Sequence, residues 1–128
     1  KKFIAHESPV INGSGDYSRD FTYVENVIEM NRLALESTNT DAVNQVYNTA
    51  CGERTDLNTL ASSLRSLLSK YDPEIASIEI LHGPERLGDI PHSLASIDKA
   101  HSLLGYKPLY MFEQGLEKAV DWYWENLK

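Results

Sequence analysis

The sequence predicts a small α/β domain. Strand-like segments at residues 8–12, 45–50 and 75–81 alternate with longer stretches that place apolar residues every three or four positions, as amphipathic helices do. The chain has 128 residues, of which 41% are hydrophobic and 24% charged. That is enough for one buried core and too little for a second full domain.

The first strand is read in "SPVINGSGD", running into a tight turn at Gly13 and Gly15, with a hairpin turn as the simplest account of the two glycines. Thr22 followed by Glu25 has the spacing of a capping box, and Val24, Val27, Ile28 and Leu35 share one face of the helix that follows, fading out between Ser37 and Thr40. "QVYNTA", residues 45–50, alternates as a strand does. Thr55 is then a candidate N-cap for a helix carrying Leu57, Leu60, Ala61, Leu64, Leu67 and Leu68, which Asp72-Pro73 stops. Ile75 to Leu81 alternates again, with Ile78 and Ile80 on one side, and empties into "HGPERLGDIPH", whose two prolines and two glycines forbid regular structure. Ser96 can cap a short helix through Leu104 that Gly105 ends, with Pro108 behind it. The last helix puts Phe112, Leu116, Ala119, Val120, Tyr123 and Leu127 on its buried side. No internal repeat or low-complexity linker interrupts the chain.

Charge and cysteine content narrow the function. With 19 acidic and 12 basic residues the net charge is -7, so the mean field repels nucleic acid and anionic membranes. One or two placed arginines can still hold a diphosphate against that field. Cys51 is the only cysteine, which excludes an internal disulfide and reads as a buried, inert thiol. His6, His82, His92 and His101 lack zinc-site spacing, so no metal is expected. No apolar run approaches a membrane span and no signal-peptide pattern opens the chain, which points to the cytoplasm.

Candidate chemistry lies in the two loops. "GSGDYS" lacks the third glycine of a dinucleotide loop, and the helix after it starts too late to point its N-terminus at a pyrophosphate. Arg19 stands between a turn and a helix start, where it either pairs with Asp16 or Asp20 or reaches a ligand. Arg86 has Glu85 and Asp89 as neighbours and the same two readings. Two arginines in separate loops suit a forked clamp on a diphosphate, and Asp89 could accept a hydrogen bond from a ribose hydroxyl. Tyr-x-x-x-Lys, Gly-x-Ser-x-Gly and His-Glu-x-x-His are all absent, so the chain reads as built to bind rather than to react. Trp122, Tyr123 and Trp124 could stack on a ligand, but on an amphipathic helix they suit core and rim positions.

The segments "GSGDYSRDFTYVENV", "VYNTACGERTDLNTLA", "RLGDIPHSLASIDKAHSLLGYKP" and "FEQGLEKAVDWYWENL", in this order and spacing, resemble the C-terminal part of the extended short-chain dehydrogenase/reductase family. The resemblance runs along almost the whole chain and is strongest to the nucleoside-diphosphate-sugar epimerases of the bacterial UDP-N-acetylglucosamine 4-epimerase type. It implies a small C-terminal substrate-binding domain over residues 1–128, with the N-terminal Rossmann domain missing. It further implies that Arg19 and Arg86 contact the diphosphate, Asp89 the uridine ribose, and Val10 and Asn12 the uracil. In the family, NAD takes a hydride from C4 of the sugar and returns it to the opposite face, with a tyrosine as base. The resemblance places NAD and that tyrosine on the missing domain, so no cofactor and no turnover are expected of this chain alone. Expected partners are a UDP-sugar and the Rossmann domain of the same polypeptide. The parent would be a homodimer through helices of that domain and this piece a monomer. A UDP-glucuronate decarboxylase, a glucose dehydratase, or a standalone nucleotide-sugar-binding module remains an alternative.

Overall fold

A computed structural model describes residues 1–127. In chain order it contains β1 (Val10–Asn12), β2 (Ser18–Arg19), α1 (Val24–Glu36), β3 (Thr55–Asp56), α2 (Leu57–Leu68), β4 (Leu81–Gly83), α3 (Asp98–Leu104) and α4 (Phe112–Asn126), with short 3-10 segments at Phe3–Ala5, Thr40–Ala42 and Pro73–Ser77. The α/β class matches the sequence reading. β1 pairs in parallel with β4, Val10 opposite Leu81 and Asn12 opposite Gly83, while β2 pairs antiparallel with β3.

That topology corrects the hairpin reading of the glycine turn, because β1 and β2 lie in different sheets. Gly13 and Gly15 have φ of 74° and 83°, a region that L side chains rarely adopt. The carbonyl of Gly15 accepts hydrogen bonds from the amides of Leu57 and Asn58 at 3.0 and 3.2 Å. A Cβ on Gly15 would lie 2.2 Å from Asn58 Oδ1. The turn therefore seats the β1–β2 connection on the start of α2, and only a glycine permits that approach.

Two apolar clusters make the core. Met30, Ala42, Ala100, Leu104 and Tyr106 bury one against α1 and α3. Phe3, Leu68, Ile75 and Val120 bury the other between α2 and α4, with Leu64, Leu67, Ile78, Ile80 and Leu116 packed around them. α2 keeps the face its leucine spacing predicts, although its N-cap is Asp56, whose Oδ1 accepts from the Thr59 amide at 2.7 Å, rather than Thr55. That bond to the Thr59 backbone also holds the Asp56 carboxyl below its ordinary range. α3 ends on Gly105, which is left-handed as expected. α4 buries Phe112 and Val120 and leaves Tyr123 exposed on its rim.

Three element readings change. α1 begins at Val24 after Tyr23, and no side-chain cap bond forms, so the Thr22–Glu25 capping box is not made. Its buried residues are Asn26 and Met30, whereas Val24, Val27, Ile28 and Leu35 are 58, 40, 61 and 87% exposed. The helix turns its polar-looking edge inward because Asn26 is fully hydrogen-bonded there. Its Oδ1 accepts from the Leu109 and Tyr110 amides at 2.8 and 3.0 Å, and its Nδ2 donates to the Tyr110 carbonyl at 2.7 Å. Residues 45–50 form no strand: the alternation is there, but no described strand lies alongside to complete a ladder. In the 75–81 segment, Pro73 opens a 3-10 turn and Asp72 Oδ1 caps it by accepting from the Glu74 amide at 3.0 Å, so the strand starts only at Leu81.

Candidate functional site

Parallel strands β1 and β4 end side by side, at Asn12 and Gly83; Val10 and Asn12 lie on β1, the turn after it leads to Arg19 on β2, and the loop after β4 carries Arg86 and Asp89. Ligands of α/β sheets bind outside such carboxyl ends. The loop after β4 does not hang free. The Ser18 amide donates to the Pro91 carbonyl at 2.9 Å, and the Ser93 amide donates to the Ser18 carbonyl at 3.1 Å. Ser18 Oγ and His92 Nδ1 lie 2.9 Å apart in a further hydrogen bond. β2 and residues 91–93 are thus stitched together, which brings Arg19 beside Asp89.

Arg19 Nη2 donates to Asp89 Oδ1 at 2.6 Å, while Nη1 donates to the carbonyls of Ser18 at 2.9 Å and Pro91 at 3.4 Å. The guanidinium is held in one plane by backbone oxygens and carries a carboxylate on one edge. This corrects both expected pairings of Arg19: Asp16 does not reach it, and Asp20 accepts instead from the amides of Cys51 at 2.8 Å and Gly52 at 2.9 Å. Arg86 is exposed and its guanidinium has no partner among the described residues, so the suggested pairs with Glu85 and Asp89 do not form either. Its carbonyl accepts from the Asp89 amide at 3.2 Å, closing a turn that contains Gly88 at φ 82°. Arg86 and Asp89 therefore ride on one tight turn. Val10 is 59% exposed and Asn12 is exposed at the end of β1.

Other candidates fall away on geometry. Cys51 is buried and burial raises its thiol above the ordinary range, which suits the inert thiol expected. Trp124 stacks on Tyr71 at 5.2 Å, while Trp122 meets Tyr123 edge-on, so the three rings share no platform. His6 Nε2 lies 3.0 Å from Asp72 Oδ2 and its Nδ1 lies 3.8 Å from Glu74 Oε2, a surface grouping that histidine spacing along the chain does not reveal. An apolar groove of about 600 Å³ runs between α2 and α4, lined by Phe21, Tyr23, Leu64, Phe112 and Trp122, and contains none of Arg19, Arg86 or Asp89. The first amides of α2 are not free at the glycine turn, since those of Leu57 and Asn58 already donate to the Gly15 carbonyl.

The sequence model of the GDP-mannose 4,6 dehydratase family matches residues 2–119. The chain belongs to this family. Members of known structure superpose on it closely. The UDP-N-acetylglucosamine 4-epimerase of Methanobrevibacter ruminantium, solved with UDP-N-acetylmuramic acid, is 36% identical, with a TM-score of 0.80 over 97% of this chain and 38% of that one. The UDP-glucuronic acid 4-epimerase of Bacillus cereus, solved with UDP-glucuronic acid and NAD, is 26% identical, with a TM-score of 0.75 over 99% of this chain and 39% of that one. The probable UDP-glucuronate 4-epimerase of Rhizobium meliloti is 30% identical over 135 residues, covering 92% of this chain and 38% of that protein. The chain thus spans less than two fifths of the length of these relatives.

Proposed function

We propose that the chain is the substrate-binding part of an NAD-dependent UDP-sugar 4-epimerase, with Arg19 and Arg86 on the diphosphate, Asp89 on the ribose, and Val10 and Asn12 against the uracil. One observation supports this most: Arg19 on β2 and Asp89, 70 positions apart, meet in an ion pair, and Asp89 lies on the loop after β4 that also carries Arg86. A backbone-anchored guanidinium is a pre-oriented donor for a phosphate oxygen. The unpaired Arg86 on a glycine turn can close over the same group. NAD, which removes and returns a hydride at C4, and the proton-abstracting residue would belong to the remainder of the polypeptide. What these residues contribute is position, since fixing the diphosphate holds the sugar carbon in place while the reaction proceeds elsewhere.

The apolar stripe of α1 supports a partner domain in the same polypeptide. Val24, Val27, Ile28 and Leu35 form a helical face left 40–87% exposed among the described residues, and Val46, 86% exposed, stands on the unpaired alternating segment. A face of that kind on an isolated piece marks surface that another unit buries. A dehydratase or decarboxylase would use the same diphosphate contacts, so the sugar chemistry has to be read from the product. The full-length polypeptide is expected to convert UDP-N-acetylglucosamine or UDP-glucose to a product of unchanged mass and inverted C4. Loss of water or of carbon dioxide from a substrate would instead select the dehydratase or decarboxylase. In the same assay Arg19→Ala and Arg86→Ala are each expected to raise KM about tenfold to a hundredfold, the worth of a charge-assisted hydrogen bond of about 1.5–3 kcal/mol. Asp89→Asn should matter less to KM. Unchanged kinetics in either arginine variant would remove that residue from the site.

A further inference from the structure

We propose that Asp89 sets the selectivity of this site, admitting a diphosphate that carries a vicinal diol and rejecting the bare anion. The inference rests on the nucleotide-sugar reading above and names what that site discriminates. Arg19 has five N–H donors. Its Nη1 serves the Ser18 and Pro91 carbonyls, so the guanidinium cannot rotate to meet an incoming ligand without breaking backbone contacts. The anion edge at Nη2 is taken by Asp89 Oδ1 at 2.6 Å. Nε makes no hydrogen bond among the described residues, and neither does Asp89 Oδ2. An anion arriving at Arg19 therefore finds only the Nε–H and the second N–H of Nη2 open, with a carboxylate beside them.

The side chains of the pair are 30% and 32% exposed. Water only partly screens them, so the charge of Asp89 acts on whatever binds next to it. A free phosphate or pyrophosphate at Nε stands beside that negative charge, or displaces the carboxylate and leaves it without a donor. Either way it loses much of what Arg19 offers. A nucleoside diphosphate brings its own compensation, because ribose hydroxyls donate to the open Oδ2 and spread the carboxylate's charge while the phosphates engage Arg19. The backbone of residue 89 is held by the hydrogen bond from its amide to the Arg86 carbonyl and by the stitching of residues 91–93 to Ser18, which keeps the carboxylate within reach of Arg19. Inside a cell, where inorganic phosphates are abundant, such a residue keeps the arginine for the sugar nucleotide.

The test is calorimetric titration of inorganic pyrophosphate and of UDP into the full-length polypeptide and its Asp89→Asn and Asp89→Ala variants, at one ionic strength. The isosteric variant keeps the loop packed, and the truncated one removes the acceptor altogether. Both are expected to bind pyrophosphate about tenfold more tightly than the parent, with UDP affinity unchanged or weaker, so that the preference for UDP over pyrophosphate collapses. If the parent binds UDP and both variants bind pyrophosphate no better than it does, Asp89 merely orients Arg19 and this inference fails while the nucleotide reading stands. If the parent binds neither ligand, the nucleotide reading fails and this inference with it.

Discussion

Asn26 shows how much of this fold rests on single polar residues. It is fully buried, and its carboxamide makes three bonds to the backbone of residues 109–110, tying α1 to the segment that launches α4. Asn26→Leu would fill the volume and leave the Leu109 and Tyr110 amides without partners and the Tyr110 carbonyl with only the Cys51 thiol, at about 1–3 kcal/mol for each unpaired buried group. A loss of several kcal/mol in denaturant unfolding is the expected result, and a loss below 1 kcal/mol would mean water replaces those bonds. Tyr106 works in the same way: wholly buried, it donates its hydroxyl to the Ala50 carbonyl at 3.0 Å, and burial pushes its pKa up to about 12. The unfolded chain releases that proton at a lower pH, near 10, so the folded state loses stability as pH rises through about 10 to 12. Tyr106→Phe is expected to flatten that alkaline slope in a pH series of unfolding midpoints. None of this stands out in the sequence, where Asn26 sits between Glu25 and Val27 like any surface residue. The Arg19–Asp89 contact was hidden for a related reason, because its partners lie 70 positions apart and nearer acids offered plausible alternatives.

At the scale of elements, the helices whose apolar face is buried within the chain are legible in the sequence. Leu57, Leu60, Ala61, Leu64, Leu67 and Leu68 fall on α2 as their spacing predicts, and Gly105 ends α3. Where the spacing misleads, no described residue buries the face. The stripe on α1 and the alternation at 45–50 are sound patterns that point outward. In the full-length polypeptide, Ile28→Lys is expected to cost about 2 kcal/mol, the price of setting an ammonium where an aliphatic side chain is buried. An unchanged thermal midpoint would leave that face in water. The glycine turn is a second element-scale device. Gly15→Ala should destabilise by more than the ~1 kcal/mol of its φ alone, because the methyl meets Asn58 at 2.2 Å, and Gly15→Ala combined with Asn58→Ala should recover part of the loss.

Over the whole molecule, the small α/β fold brings β2 and the loop after β4 together and leaves the apolar stripe of α1 exposed. Among the described residues no helix is long and apolar enough to cross a membrane. With relatives more than twice its length, the chain supplies, on our proposal, a holder for the nucleotide while the remainder supplies the redox chemistry. The most direct check of that proposal is a crystal structure of the full-length polypeptide with UDP bound, read at the two guanidinium groups. The account predicts phosphate oxygens at about 2.7–2.9 Å from both Arg19 and Arg86, with a ribose hydroxyl on Asp89. UDP seated in the apolar groove between α2 and α4, or bound with both arginines turned to solvent, would contradict it.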